Sequence, residues 1–214
     1  MTTGTKELLG FFIAVNSLAA YLNHLDDTDE VHGYYEPLHY LLLGRGLQTW
    51  EYSPAFALRS YAFLAPLYLL GRAILATGVV IQRPDLFTSL RMAIGVFFAY
   101  SETRFVSAAH TAFGGRLLIA CTVLLAVTPG VLYCSTSFLP SAFAASFVML
   151  ATASWLEGAG LWTVLWGSLA AIFTGWPFCG VLFLPFGLHL LLERRTLIDK
   201  AVFCIKGRTL SPSR

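Results

Sequence analysis

Long apolar runs separated by short polar breaks dominate the chain. Residues 8–25 contain no Asp, Glu, Lys or Arg, and LLGFFIAVNSLAAYL forms most of that run. A helix needs about 20 mostly apolar residues to cross the hydrocarbon of a bilayer, so this run is just long enough. A second run covers 61–82, interrupted by Arg72, and a third covers 86–100, accompanied by Arg91, Glu102 and Arg104. Forty uncharged residues follow at 117–156, enough for two helices divided near Pro129-Gly130 and Pro140. Residues 158–192 add thirty-five more, with a break expected at Gly175-Trp176-Pro177, where proline removes a backbone donor. Runs such as LLIACTVLLAV do not alternate, which excludes the strands of a membrane β-barrel. The pattern predicts an all-α, polytopic membrane protein with six or seven transmembrane helices. The first run has one other reading, a secretory signal peptide with Lys6 as its basic region and Ser17-Leu18-Ala19 as a cleavage site; that basic region is thin.

Composition agrees with the pattern. Of 214 residues, 57% are hydrophobic and only 12% are charged, half the roughly 25% usual for soluble domains. A net charge of +2, with no Lys/Arg cluster interleaved with aromatics, gives no ground for a nucleic-acid partner. The four cysteines, at 121, 134, 179 and 204, fit no zinc spacing and read as buried free thiols. There is no internal repeat. Residues 1–193 read as one membrane module, and 194–214 as a basic tail.

The charges that exist are concentrated. Residues 24–59 hold six acidic side chains against two basic ones, whereas 193–214 hold six basic against two acidic. The positive-inside rule then places the first loop outside the cytosol and the tail inside, which an even number of helices satisfies. Asp26, Asp27, Asp29 and Glu30 lie within five residues at a predicted membrane boundary. Mutual repulsion and low dielectric both raise carboxylate pKa values, which favours a general base. The same cluster also reads as a solvated acidic loop. Asp27-Thr28-Asp29 has the spacing to share a divalent cation, but a lone D-x-D pair is weak, and no metal site is assigned. Glu36-Pro37 opens an amphipathic helix, ended by Gly44 and Gly46, with Leu41, Leu42 and Leu43 toward lipid. Pro54 is expected to open another helix running through Arg59 into the second span. Trp50, Tyr52 and Tyr61 sit where interfacial aromatics anchor.

Longer strings carry more information. D27-T-D-E30, Y34-Y-E-P37, H39-Y, G44-R-G-L-Q-T-W-E-Y-S-P54 and R59-S-Y61 together resemble the first lumenal loop of the dolichyl-phosphate-mannose-dependent α-1,2-mannosyltransferases of asparagine-linked glycosylation, in glycosyltransferase family 22. C134-S-T-S-F-L-P-S141 and G175-W-P-F178 resemble that family's downstream helices. The resemblance runs from about His24 to Glu193. It implies a GT-C glycosyltransferase fold in the endoplasmic-reticulum membrane, with a large helical first loop in the lumen. It implies a dolichyl-phosphate mannose donor, a dolichyl-diphosphate oligosaccharide acceptor, inversion at the transferred sugar, and no cofactor. On it, Asp29 is the catalytic base and Glu30 its orienting neighbour, while Asp27, Glu36, His39, Glu51 and Arg59 bind substrate. Arg59 is the candidate phosphate contact; Arg104, His110 and Arg116 are weaker ones. Gly33 and Tyr35 depart from the asparagine and tryptophan that the resemblance leads one to expect. The family's members are also much longer, so the alternative is a truncated, non-catalytic membrane protein that binds dolichyl lipid or the glycosylation machinery.

Overall fold

A computed structural model describes residues 3–25, 27–78, 83–174 and 177–192. Its elements, in order, are α1 (Thr3–Leu22), a π-helical segment (Glu30–Tyr35), α2 (Glu36–Leu43), a 3₁₀ turn (Trp50–Tyr52) and α3 (Tyr61–Ala76). Then come α4 (Arg83–Phe113), α5 (Gly115–Val127), α6 (Pro129–Cys134), α7 (Pro140–Leu156) and α8 (Gly160–Ser168). A π-helical segment (Leu169–Phe173) prolongs α8, and a 3₁₀ segment (Pro177–Phe183) leads into helical residues 184–192. Among the described residues there is no strand.

The sequence dictates most of the boundaries. Pro129 and Pro140 stand in the first turns of α6 and α7, where their fixed φ suits the helix and no donor is lost. Gly44 closes α2 in the left-handed region at φ 69°, and its N–H returns to the Tyr40 carbonyl. Ser60 caps α3 by accepting from the Ala62 N–H at 3.1 Å. These interruptions leave pieces such as α5, 13 residues, and α7, 17 residues. The two longest helices carry polar groups, among them Lys6, Glu7 and Asn16 in α1 and Arg91, Glu102 and Arg104 in α4. Consequently, among the described residues no single helix is long and apolar enough to cross a membrane.

The helices nevertheless form a bundle with two distinct ends. α1 and α4 run antiparallel: Arg91 meets the Asn23 carbonyl just after α1, while Ser107 and His110 face Gly4 and Glu7 near its start. Gly95 permits their close approach, since a Cβ there would lie 3.3 Å from that of Asn16. α5 and α6 return to the loop end, where Asn23 donates to the Leu132 carbonyl. α7 descends, α8 ascends until Phe173 reaches Phe63, and residues 177–192 descend again, bringing Leu190 to Gly160. The described chain thus passes six times between the ends.

One expected span does not take part. The apolar run after Tyr61 forms α3, which packs on α2 and on the first part of α4. Phe63, Leu64 and Leu67 join Leu38, Leu42, Leu86, Leu90 and Phe138 in a core beneath the loop. Its apolar residues cover that end of the bundle and do not extend it. Leu42 therefore points into this core, Leu43 is half-buried and only Leu41 is exposed, at 37%, contrary to the expected lipid-facing trio. Residues 53–60 are not helical either: the Leu58 and Arg59 N–H groups both donate to the Glu51 carbonyl, and Ala57 takes a positive φ of 47°. Tyr52 is buried rather than interfacial and lies 4.6 Å from Tyr61 between ring centres. Cys121, Cys134 and Cys179 are free thiols, half-buried; Cys204, the basic tail, and Gly175-Trp176 at the expected break lie outside the described residues.

Candidate functional site

The loop between α1 and α3 holds all seven residues singled out as catalytic or substrate-binding. Its first turn is set by Asp27, whose Oδ1 accepts from the Asp29 N–H at 2.8 Å, a local turn that competes well with helix for an aspartate. The chain then enters the π-helical segment, a rare form that recurs at functional sites. There Asp29 and Glu30, adjacent in sequence, separate completely. Asp29 is exposed, whereas Glu30 is buried and only 1% exposed.

Asp29 faces Arg59. Its Oδ1 accepts from Nη2 of Arg59 at 2.5 Å, and Nε of the same guanidinium lies 2.8 Å from Oε2 of Glu51. Glu51 also accepts from Thr49 Oγ1 at 3.4 Å. The guanidinium sits 4.5 Å above the centre of the Tyr34 ring, a cation–π contact. Burial opposes the Arg59 charge, but the Asp29 hydrogen bond and its anionic neighbours more than offset this, and its pKa is raised. Burial pushes the Tyr34 and Tyr52 phenols up as well, so both keep their protons at neutral pH. Tyr52 donates that proton to the Gly33 carbonyl at 2.9 Å. Gly33 itself makes the arrangement possible. A Cβ there would fall 2.0 Å from Arg59 Nη1 and 2.7 Å from Asp29 Oδ1. The asparagine expected at 33 would therefore force this arginine elsewhere. Nη1 of Arg59 is buried without a hydrogen-bond partner, a donor left for an acceptor oxygen to satisfy.

Glu30 points the other way. Its Oε1 accepts from the Phe138 N–H at 2.9 Å and its Oε2 from the Tyr133 hydroxyl at 3.3 Å. Burial raises its pKa, opposed by these donors and by nearby Arg91. Arg91 is buried too and donates to the Asn23 carbonyl at 2.9 Å and to Thr136 Oγ1 at 3.0 Å. The string C134-S-T-S-F138 thus lies against the loop because Glu30 and Arg91 hold it there.

Glu36 and His39 stand apart from the Asp29–Arg59 pair. Glu36 Oε2 accepts from the Leu47 N–H at 3.1 Å, and His39 donates from Nδ1 to the Arg45 carbonyl at 2.6 Å. Both fold the Gly44–Leu47 turn back on α2. Of the seven, then, Asp29, Glu51 and Arg59 converge, Asp27 shapes the turn beside them, and Glu30, Glu36 and His39 hold backbone. Sequence reasoning did not single out Tyr34, the floor under Arg59, or Tyr133, the partner of Glu30. Tyr34 lay in the quoted Y-Y-E-P string, but only contact geometry distinguishes it from Tyr35, which packs on Phe87 and Phe138.

The site chemistry is that of an exposed carboxylate beside a fixed cation, over an aromatic floor, at one end of a helical bundle. Residues 8–210 match the model of the Alg9-like mannosyltransferase family. Among curated proteins, the chain is 39% identical to the α-1,2-mannosyltransferase alg9 of Schizosaccharomyces pombe, over 86% of this chain and 30% of the relative. It is 36% identical to ALG9 of Arabidopsis thaliana, over 83% of this chain and 31% of the relative. Human ALG9 is likewise 36% identical, over 82% and 28% respectively. The chain therefore spans less than a third of the length of these relatives. No solved structure matches it. Family model and relatives agree, and the chain belongs to the Alg9-like mannosyltransferase family.

Proposed function

We propose that this chain carries the acidic-loop half of an α-1,2-mannosyl transfer site in the endoplasmic-reticulum membrane, with the loop in the lumen. The donor is dolichyl-phosphate mannose and the acceptor a dolichyl-diphosphate oligosaccharide. The observation that carries the reading is the exposed Asp29 carboxylate held 2.5 Å from Arg59 at the loop end of the bundle.

In an inverting transfer the acceptor hydroxyl oxygen bonds to C1 of mannose while the C1–oxygen bond to phosphate breaks on the opposite face. The hydroxyl proton must go to a base. Asp29 is that base: Oδ1 is engaged by Arg59, and its second oxygen takes the proton. The lipid phosphate leaves as a weak base and needs no acid, only charge stabilisation. Arg59 supplies this, since a guanidinium suits phosphate oxygens and its Nη1 lacks an acceptor. Glu51 and Tyr34 hold the guanidinium in place. Glu30 is a positioning residue, acting through Phe138 and Tyr133, and Asp27 orients the turn that presents Asp29. Glu36 and His39 shape the loop wall that the sugars meet.

Microsomes carrying the chain in a strain lacking the endogenous enzyme test this. They are expected to transfer labelled mannose from dolichyl-phosphate mannose to the lipid-linked acceptor, and Asp29→Asn to lower the rate by about 10²–10⁴. Full activity in the variant overturns the assignment of the base. Stable insertion with no transfer by the parent chain would instead support a lipid-binding, non-catalytic role.

A further inference from the structure

At the end of the bundle opposite the loop, α4, α7 and α8 enclose a cavity of about 330 Å³. Trp162 and Trp166 line it, stacked at 26° with ring centres 6.0 Å apart, together with Tyr100 and Leu150. Arg104 and Glu157 stand in the same cavity, with Nη2 of Arg104 2.6 Å from Oε2 of Glu157. Both side chains remain substantially exposed, at 34% and 41%. Water screens such a pair, so it separates readily when better partners arrive. Arg104, a weaker candidate phosphate contact on the sequence, thus lies away from the loop that holds Asp29 and Arg59.

We propose that this cavity binds the head group of a zwitterionic choline phospholipid. Three features of the cavity converge on that chemistry. The charged pair sums to zero, so an anion leaves Glu157 facing like charge and a cation does the same to Arg104. A zwitterion exchanges both contacts at once: phosphate to the Arg104 guanidinium, ammonium to the Glu157 carboxylate. Trp162, half-exposed and stacked on Trp166 by one face, then serves the ammonium, since a quaternary nitrogen offers no N–H and is held by an aromatic face. The depth also fits. The seventeen residues of α7 separate the cavity from the loop end by about 25 Å, close to the thickness of bilayer hydrocarbon. A head group belongs at that level.

This inference rests on the membrane placement proposed above, and the test separates the two. The 214-residue chain, purified in maltoside detergent, is titrated with dihexanoyl phosphatidylcholine and with dihexanoyl phosphatidylglycerol. Adducts are counted by native mass spectrometry. The choline lipid is expected to bind about tenfold more tightly. Trp162→Leu lowers that affinity by about fivefold or more with helical circular dichroism unchanged. Glu157→Gln leaves Arg104 uncompensated and moves the preference toward phosphatidylglycerol, a reversal that general destabilisation does not produce. Equal binding of the two lipids, or a Glu157→Gln variant with the parental preference, overturns the proposal. Carbonate extraction is run in parallel. A chain that resists extraction but shows no choline preference lacks only this site; a chain that is extracted overturns the membrane placement and the site together.

Discussion

Neighbours at residue scale, Asp29 and Glu30 meet opposite environments, and pH separates them. Glu30 is buried and its pKa is raised above the ordinary 4.5. The folded state therefore holds the Glu30 proton more tightly than the unfolded chain does. Its contribution to stability is full below about pH 4.5 and is lost as pH rises through the higher folded value. Thermal unfolding in detergent should show the midpoint declining with pH across that window, and Glu30→Gln should flatten the decline. Glu30→Ala leaves the Phe138 N–H buried without an acceptor and should cost about 1–3 kcal/mol. Gly33 gives a second test. In Gly33→Ala the new methyl displaces Arg59 from Asp29, and transfer should fall by about tenfold to a hundredfold. Gly130→Ala, with nothing within 4 Å of the added carbon, should leave it unchanged. Part of this was legible in the sequence: Asp29, Glu51 and Arg59 lie in strings that carried the resemblance. What charge pattern could not show is which acid turns inward. A one-residue step in the π-helical segment decides that, and no local propensity marks it.

The elements were legible where proline or glycine punctuates the chain. Gly44, Pro129 and Pro140 bound helices where the pattern placed the breaks. The run from Tyr61 misled because apolar residues that cover a protein core look the same in sequence as those that face lipid. What separates them is Leu38, Leu42 and Phe138 arriving from elsewhere to be covered. Arg91 shows how elements are joined at this end. From α4 its Nη1 donates to the Asn23 carbonyl after α1, while Nε and Nη2 donate to the carbonyl and hydroxyl of Thr136 between α6 and α7. A planar fork can address these acceptors together, and an ammonium cannot. Arg91→Lys should therefore destabilise the bundle by about 3 kcal/mol, read as a lower unfolding midpoint, despite the retained charge. A variant as stable as the parent would show that Arg91 does not tie these segments.

For the whole molecule, the question is which compartment each end faces. Among the described residues no single helix is long and apolar enough to cross a membrane, yet the described chain passes six times between the ends of the bundle. Six passes return residue 192 to the end where α1 begins. The loop with Asp29 and Arg59 lies at the other end. The charge bias, six acids against two bases in 24–59 and the reverse in 193–214, sets the expectation that these two stretches face opposite sides of a membrane. A seventh pass through α3 would instead leave the start of α1 and residue 192 at opposite ends. A glycosylation acceptor tests the arrangement without requiring activity. Arg45 and Leu47 are exposed in the turn after α2, so R45N/L47T creates an N-x-T acceptor in the loop. Translated with microsomes, that variant is expected to gain one endoglycosidase-sensitive glycan. An acceptor appended after Arg214 should gain none. Modification of the appended acceptor, or of neither, would break the link between six passes and a lumenal acidic loop.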